Sequence, residues 1–167
     1  MATQNLIQYL ETEQYNALPG QSNVAVGISA MNRRQVETFI ASEAIAANDL
    51  VSLDLSKTND GDKGIFIVKA DSGTATDSCA VGFALNEATA AGEKVDVTIA
   101  GIHVSANVDS ATAAGSRLIV GSTAGRASVA ADIVESGSAT VAQRPLIAIA
   151  AEADTANVAT VFVIKQF

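Results

Sequence analysis

Residues 93–104 read Glu93-Lys-Val-Asp-Val-Thr-Ile-Ala-Gly-Ile-His-Val104 and contain the most extended β-like pattern of the chain. Up to Ile99, apolar and polar residues alternate, which is the pattern of a strand with one buried face. After Ala100-Gly101 the large apolar residues are Ile102 and Val104, one position out of phase. We therefore expect a β-bulge or a bend from one sheet to another at this point, with Ile102 and Val104 facing inward beyond it.

Short β-branched runs flank this stretch on both sides and are separated by clusters of Gly, Asn, Asp and Ser. In the first of these runs, the polar residues Ser52 and Asp54 indicate a solvent-facing side, and the turn at Asn59–Gly64 indicates a hairpin. The last run is apolar on both faces, which predicts a strand buried centrally or against a neighbouring subunit. The predicted strands are Leu50–Leu55, Ile65–Lys69, Ala80–Leu85, Arg117–Val120, Ala127–Ala130, Leu146–Ala150 and Val158–Lys165.

A recurring turn sequence precedes several of these strands. Ala88-Thr-Ala-Ala-Gly92 is repeated as Ala111-Thr-Ala-Ala-Gly115, and Ala46-Ala-Asn-Asp49 is a looser relative. Each unit combines small residues with a Gly or Asn that can adopt positive φ. We interpret the repeats as shared turn chemistry in one barrel, because they are too short for a solenoid.

The chain of 167 residues divides into an arm, residues 1–35, and a β domain, residues 36–167. The arm is rich in Gln and Asn, and Leu6, Ile7 and Leu10 fall at the spacing of a short amphipathic helix. We predict an all-β fold, a compact antiparallel β-barrel or a jelly-roll-like sandwich, with an extended or partly helical N-terminal arm.

The composition predicts a core with little bulky side-chain volume. Hydrophobic residues make up 49% of the chain, but it contains only 5 Phe, 2 Tyr and no Trp. Burial of a large aliphatic or aromatic side chain contributes about 1.5–3 kcal/mol, and a methyl group contributes far less. We therefore expect oligomerisation to supply buried surface that the monomer lacks.

The formal net charge of -8, with scattered Lys and Arg, argues against nucleic-acid and membrane partners. The N-terminus lacks the basic region of a signal peptide, and the apolar stretches are too short to span a bilayer, so we expect a soluble protein made in a cytoplasm. Arg33-Arg34 is the adjacent cationic pair where the arm meets the domain. It is either an anchor for an acidic partner or a solvated pair.

Catalytic and metal-binding patterns are sparse. His103 is the chain's single histidine, and a histidine in an apolar strand is usually structural. Cys79 is also single, so neither an intrachain disulfide nor a multi-cysteine metal site can form. Asp60 and Asp62 have the spacing of a calcium loop but lack its distal glutamate. We predict no catalytic residue, no metal and no cofactor.

From Ala46 onward, six turn and strand segments follow one another in a recognisable order. They are Ala47-Asn-Asp-Leu-Val51, Ala80-Val-Gly-Phe-Ala-Leu85, Ala90-Ala-Gly-Glu-Lys-Val-Asp-Val97, Ile99-Ala-Gly-Ile102, Ala113-Ala-Gly-Ser-Arg-Leu118 and Pro145-Leu-Ile-Ala-Ile-Ala150. This order resembles that of the small β-barrel capsid decoration proteins, also called cement proteins, of tailed bacteriophages. The resemblance covers about two-thirds of the chain and consists of turn and strand patterns.

The resemblance implies a structural virion protein located on the outer surface of the capsid. Proteins of this family bind the assembled icosahedral head, usually as trimers, and stabilise the shell by bridging major capsid proteins. We therefore expect a homotrimer and a major capsid protein as partners. The partner-binding residues that we predict are Leu6, Ile7, Leu10, Arg33 and Arg34 in the arm, with Phe162 and Ile164 of the last strand at the subunit interface.

Three alternatives remain open at this point. A tail or fibre component would share the β-rich composition, although fibres usually contain long repeats or coiled coils. A ligand- or carbohydrate-binding barrel would normally have more aromatic residues than this chain. An enzyme would have to form its active site at a subunit interface, with His103 as the base.

Overall fold

The computed structural model describes residues 34–73, 79–130 and 145–164. Of the predicted partner-binding residues, Leu6, Ile7, Leu10 and Arg33 lie outside these ranges. The described residues form β1 (Gln35–Ala41), β2 (Leu50–Leu53), β3 (Phe66–Lys69), β4 (Ala80–Ala84), β5 (Lys94–Asn107), β6 (Arg117–Val120), β7 (Ala127–Val129), β8 (Ala148–Ala150) and β9 (Val158–Val163). A short helix, α1 (Asp60–Lys63), lies between β2 and β3.

The first half of the fold is a closed five-stranded barrel. Its strands follow the order β1-β3-β2-β4-β5, and pairing between β1 and β5 completes the circle. The predicted hairpin of β2 and β3 is present, with Val51 opposite Lys69. All the pairings in this barrel are antiparallel except the one between β1 and β3. The all-β prediction is therefore confirmed, as a barrel with one parallel pairing.

Strand β5 leaves the barrel and starts a second sheet. It pairs with β1 as far as Ala100 and with β9 from Gly101 onward. The second sheet has the order β5-β9-β8-β6-β7, and a bridge between Val108 and Ala127 brings β7 back to the end of β5. Gly101 has a φ of 90°, which glycine adopts without steric cost. The predicted transfer between sheets at Ala100-Gly101 is confirmed.

The inward residues beyond this bend were predicted wrongly. His103 is 1% exposed, whereas Val104 is 45% exposed and Ile102 is half-buried. The register between β5 and β9 shifts between His103 and Ala106, where Ser105 has a φ of 70°. The large apolar residues Ile102 and Val104 therefore lie on the outer side of the second sheet, and the imidazole ring of His103 lies on its inner side.

Strand β2 also differs from its prediction, because both of its faces are covered. Ser52 and Asp54 are buried and Leu55 is exposed, so the expected solvent-facing side is wrong. The reason is that Val51 belongs to the barrel interior, while Leu50 belongs to a second core between the barrel and the second sheet. A strand that separates two cores has no face in water.

Both cores combine a few large side chains with several small ones. The barrel interior is packed around Phe39, Ile45 and Ile67, and the second core around Phe83 and Leu118. The second core also contains many alanines, namely Ala70, Ala80, Ala106, Ala127, Ala148, Ala150 and Ala159.

The turn repeats precede the strands as predicted, with positive φ at Asn48, Gly92 and Gly115. Strand β1 has no counterpart among the predicted strands.

Strand β4 approaches β5 so closely at Gly82 that no side chain fits there. A Cβ atom at Gly82 would lie 2.0 Å from the carbonyl oxygen of Thr98. We predict that Gly82→Ala lowers the free energy of unfolding by about 3 kcal/mol or more, because only a backbone shift can relieve the contact. Gly64→Ala is the matched control, since nothing lies within 4 Å of its Cβ position. Urea unfolding should leave the control unchanged within error; equal effects of both variants would contradict this prediction.

Candidate functional site

An apolar row crosses the outer side of the second sheet. Phe162 of β9 lies opposite Ile102 of β5 on one side and opposite Ile149 of β8 on the other. Ile149 in turn lies opposite Arg117 of β6. Phe162 is 47% exposed and Ile149 is 36% exposed. Four neighbouring strands therefore place three large apolar side chains and one guanidinium group in a line. We call the three apolar side chains, Ile102, Phe162 and Ile149, the outer row.

Strand alternation explains why these side chains lie outside. Val161 and Val163 flank Phe162 in sequence and are buried in the second core. Ala148 and Ala150 flank Ile149 and are buried in the same core. Successive side chains of a strand point to opposite faces, so the residues between these core positions face outward. The core takes the small residues of β8 and leaves its isoleucine on the surface.

The outer row differs from scattered surface hydrophobic residues because its members are adjacent. Single exposed apolar side chains are normal in soluble proteins and carry no functional meaning. Neighbouring strands lie about 5 Å apart, so directly opposed side chains on one face contact each other. Val104, 45% exposed and two residues beyond Ile102 on β5, extends the apolar area. Contiguous exposed apolar surface of this kind is typical of interaction sites.

Charges of both signs lie next to the outer row. Arg117 is exposed at the β6 end. Glu152 follows β8, and its carboxylate accepts hydrogen bonds from the hydroxyl and the backbone N–H of Thr160, at 2.6 and 2.9 Å. These two bonds hold the pKa of Glu152 below its usual range. The residues of the row itself carry no carboxylate.

The predicted partner-binding residues have different positions in the structure. Phe162 lies at the centre of the outer row, and Ile164 is half-buried just after β9, where its N–H donates to the carbonyl of Ile147 at 2.8 Å. Arg34 is half-buried immediately before β1. Of the alternatives for β9, central burial is wrong for its outer face, because Phe162 is exposed.

Sequence reasoning missed Ile102 and Ile149 as members of the row, and Arg117 at its end. The Ala148-Ile149-Ala150 pattern contains a usable signal, because small residues flank one bulky residue at strand spacing. Ile102 was expected inside. Arg117 could not be placed from sequence, because its neighbour Ile149 is contributed by a strand far along the chain.

The buried polar centre around His103 is the second feature with chemical potential. Its Nδ1 lies 3.1 Å from Thr98 Oγ1, and its Nε2 lies 3.2 Å from Asn48 Oδ1. The ring stacks on Phe83 with centroids 5.4 Å apart. Burial first, and the charge of Arg34 second, lower the pKa of His103 to about 4. A neutral ring with both nitrogens bonded is an arrangement suited to a structural role.

The other candidate groups form local contacts within the chain. Asp60 accepts from Lys63 Nζ at 3.0 Å, and Asp62 accepts from the Asn59 side-chain amide at 3.1 Å. Cys79 is half-buried. No group of three or more His, Cys, Asp or Glu residues within residues 34–73, 79–130 and 145–164 could hold a metal ion.

Comparison of the sequence with protein-family models and with curated proteins gives no match. In the part of the chain that the structure describes, no helix is long and apolar enough to cross a membrane.

The alternation in β9 separates folding from surface properties and can be tested with neighbouring residues. We predict that Val161→Ala lowers the free energy of unfolding by about 2 kcal/mol, because Val161 is 0% exposed in the second core. Phe162→Thr should change it by no more than about 0.5 kcal/mol, since the site is exposed and Thr favours strands. Urea titrations at low protein concentration measure both values. A larger loss for Phe162→Thr than for Val161→Ala would show that the assignment of faces is wrong.

Proposed function

We propose that this protein is a structural protein that associates with copies of itself through the outer row and binds the outer surface of an icosahedral phage capsid. The observation that carries the proposal is the contiguous row of Ile102, Phe162 and Ile149 on the second sheet. We infer the larger assembly, an icosahedral phage capsid, from the resemblance of the chain to capsid decoration proteins. A stable shell component needs association surfaces rather than reactive groups.

The outer row has the character of an interface centre. Stable interfaces combine an apolar, well-packed centre, often with Phe, Tyr, Trp, Met or Arg, with a polar rim. Phe162 and its two isoleucine neighbours would form such a centre, and Arg117 and Thr160 would belong to its rim. A standard interface buries about 800 Å² on each partner, so residues around the row must also take part.

Electrostatics favour a second copy of the chain as the occupant of the outer row. Two chains of net charge -8 repel each other, and close approach costs least where no carboxylate is present. The outer row is such a place. Arg117 and Glu152 border it, so rotation-related copies can set the guanidinium of one chain against the carboxylate of the other.

Capsid binding in this proposal uses the predicted arm. The arm residues Leu6, Ile7 and Leu10 would pack on the major capsid protein, with Arg33 and Arg34 beside acidic groups. Each bound copy adds free energy to the closed shell and none to its separated subunits, so the shell becomes more stable by mass action. Association into trimers would multiply a modest single contact, because three arms bind together.

The fold suits a passive mechanical component. The barrel is closed by the pairing of β1 with β5, which leaves few strand edges that could pair with other chains. The shared strand β5 joins the barrel to the second sheet without a flexible linker. Force applied to the outer row would therefore be transmitted through continuous backbone hydrogen bonds.

Disruption of the outer row should dissociate the oligomer. We predict that the wild-type chain elutes as a trimer and that Phe162→Asp elutes as a monomer, because a carboxylate at the interface centre is costly to bury. Ile65→Asp is the matched control, since Ile65 is 46% exposed but belongs to the barrel side. Size-exclusion chromatography with light scattering measures the masses. A monomeric wild type, or equal loss of mass in both variants, would contradict self-association through this row.

Binding to shells is tested separately. We expect saturable, stoichiometric binding of the wild-type chain to tailed-phage heads that lack their decoration protein, and a higher temperature of head disruption after binding. A chain lacking residues 1–33 should remain oligomeric but bind the heads at least tenfold more weakly. Absence of saturable binding by the intact chain, or turnover of a substrate by the purified chain, would overturn the structural role.

A further inference from the structure

Residues Asn48 and Asp49 connect the barrel to the second sheet. The N–H of Asn48 donates to the carbonyl of Ala84 in the barrel, and its carbonyl accepts from the N–H of Asn107 in the second half of β5. Asp49 accepts from the side-chain amide of Asn107 at 2.9 Å. Asn48 has a φ of 71°, a conformation that Asn tolerates better than most residues. Two consecutive residues thus hold both halves of the fold together.

A second attachment passes through the same segment. The N–H of Leu50 donates to the carbonyl of Gly125, at 2.7 Å, in the turn between β6 and β7. Gly125 lies directly against Asp49, because a Cβ at this glycine would be 2.8 Å from the Asp49 Cγ. Displacement of Asn48 and Asp49 would therefore disturb both of these contacts, while the turn keeps the bonds in which the Gly125 N–H donates to Ala70 and the Ser72 N–H donates to Gly121.

His103 fixes the position of this segment from inside the second core. Because Asn48 Oδ1 only accepts hydrogen bonds, Nε2 carries the ring proton and Nδ1 accepts from the Thr98 hydroxyl. This is the neutral form of the ring. Among the described residues, the charge of Arg34 acts on the ring and opposes its protonation. Asp49, next to Asn48 in the chain, accepts from the Asn107 amide and from the Ala46 N–H, both at 2.9 Å.

We propose that His103 is an acid-sensitive joint, whose protonation releases the second sheet from the barrel while the barrel stays folded. A protonated ring would place a positive charge in the core with Arg34 nearby, and its partners within the described residues, Thr98 and Asn48, are neutral. The state in which the second sheet detaches would expose the ring to water and remove this cost. Acid would therefore favour detachment.

The expected pH range follows from the direction of the shift. The attached state has a His103 pKa of about 4, whereas a solvated histidine has its ordinary value of 6.5. The attached state is therefore fully favoured above pH 6.5, and the advantage declines as the pH falls toward 4. Between pH 7 and pH 5, the population of the detached state should rise about 20-fold.

Hydrogen exchange with mass spectrometry on the full chain tests the joint. After correction for intrinsic exchange rates, opening of peptides from β6, β8 and β9 should rise about 20-fold from pH 7 to pH 5, and opening of β2 and β3 should change less than twofold. In His103→Gln, whose amide can bond Asn48 without titrating, opening should be equal at both pH values. An equal rise in opening of both halves at pH 5, or opening of the second sheet that is the same at both pH values, would overturn the proposal.

A second measurement does not depend on the variant folding. His103 is the single histidine of the chain, so an untagged sample gives one imidazole signal in a proton NMR titration. The proposal requires that the attached state remains unprotonated at pH 5. A pKa near 6.5 in the folded chain would overturn it, and this result would leave the association experiments on the outer row unaffected.

Discussion

The fold depends on one strand that must satisfy two sheets. Strand β5 is 14 residues long, and its backbone bonds to β1 and β4 in its first half and to β9 in its second half. Both edges of its first half are paired within the barrel, with β1 on one side and β4 on the other. Both of its faces are buried near Thr98 and Ile99. The bend at Gly101 and the register shift near Ser105 allow one strand to pair in both sheets. The remaining strands of each sheet are arranged around these pairings.

Small side chains are the condition under which two cores can lie so close together. Gly82 allows β4 to approach the backbone of β5, and Gly125 allows a turn of the second sheet to approach Asp49. The alanines of the second core have the same effect on β8 and β9. Close approach reduces the bulky apolar volume per residue, so each monomer gains less from burial than a chain with larger side chains. A thin core is thus a consequence of the layered architecture.

Much of this fold could be predicted from local patterns, and the rest depends on partners that are remote in sequence. The strands other than β1, the turn glycines and the bend at Gly101 follow from alternation and residue type. The burial of Ser52 and Asp54 could not be predicted, because it requires a second core outside the barrel. Ile102 and Val104 were expected inside wrongly for a related reason, since alternation shows that the buried face changes but not which face another element covers. For the candidate site, Phe162 was named from the sequence, but the row and the adjacent Arg117 depend on three strand pairings that link β5, β9, β8 and β6.

Strand β9 shows how one segment can contribute to the core and to the surface of a sheet independently. Its buried residues Val161 and Val163 belong to the second core, and the residue between them belongs to the outer row. Because the two sets occupy opposite faces, a change in one leaves the contacts of the other in place. The same separation holds in β8, where Ala148 and Ala150 face inward and Ile149 faces outward. Selection could therefore adjust the surface of the second sheet to a new partner without repacking the core that supports it.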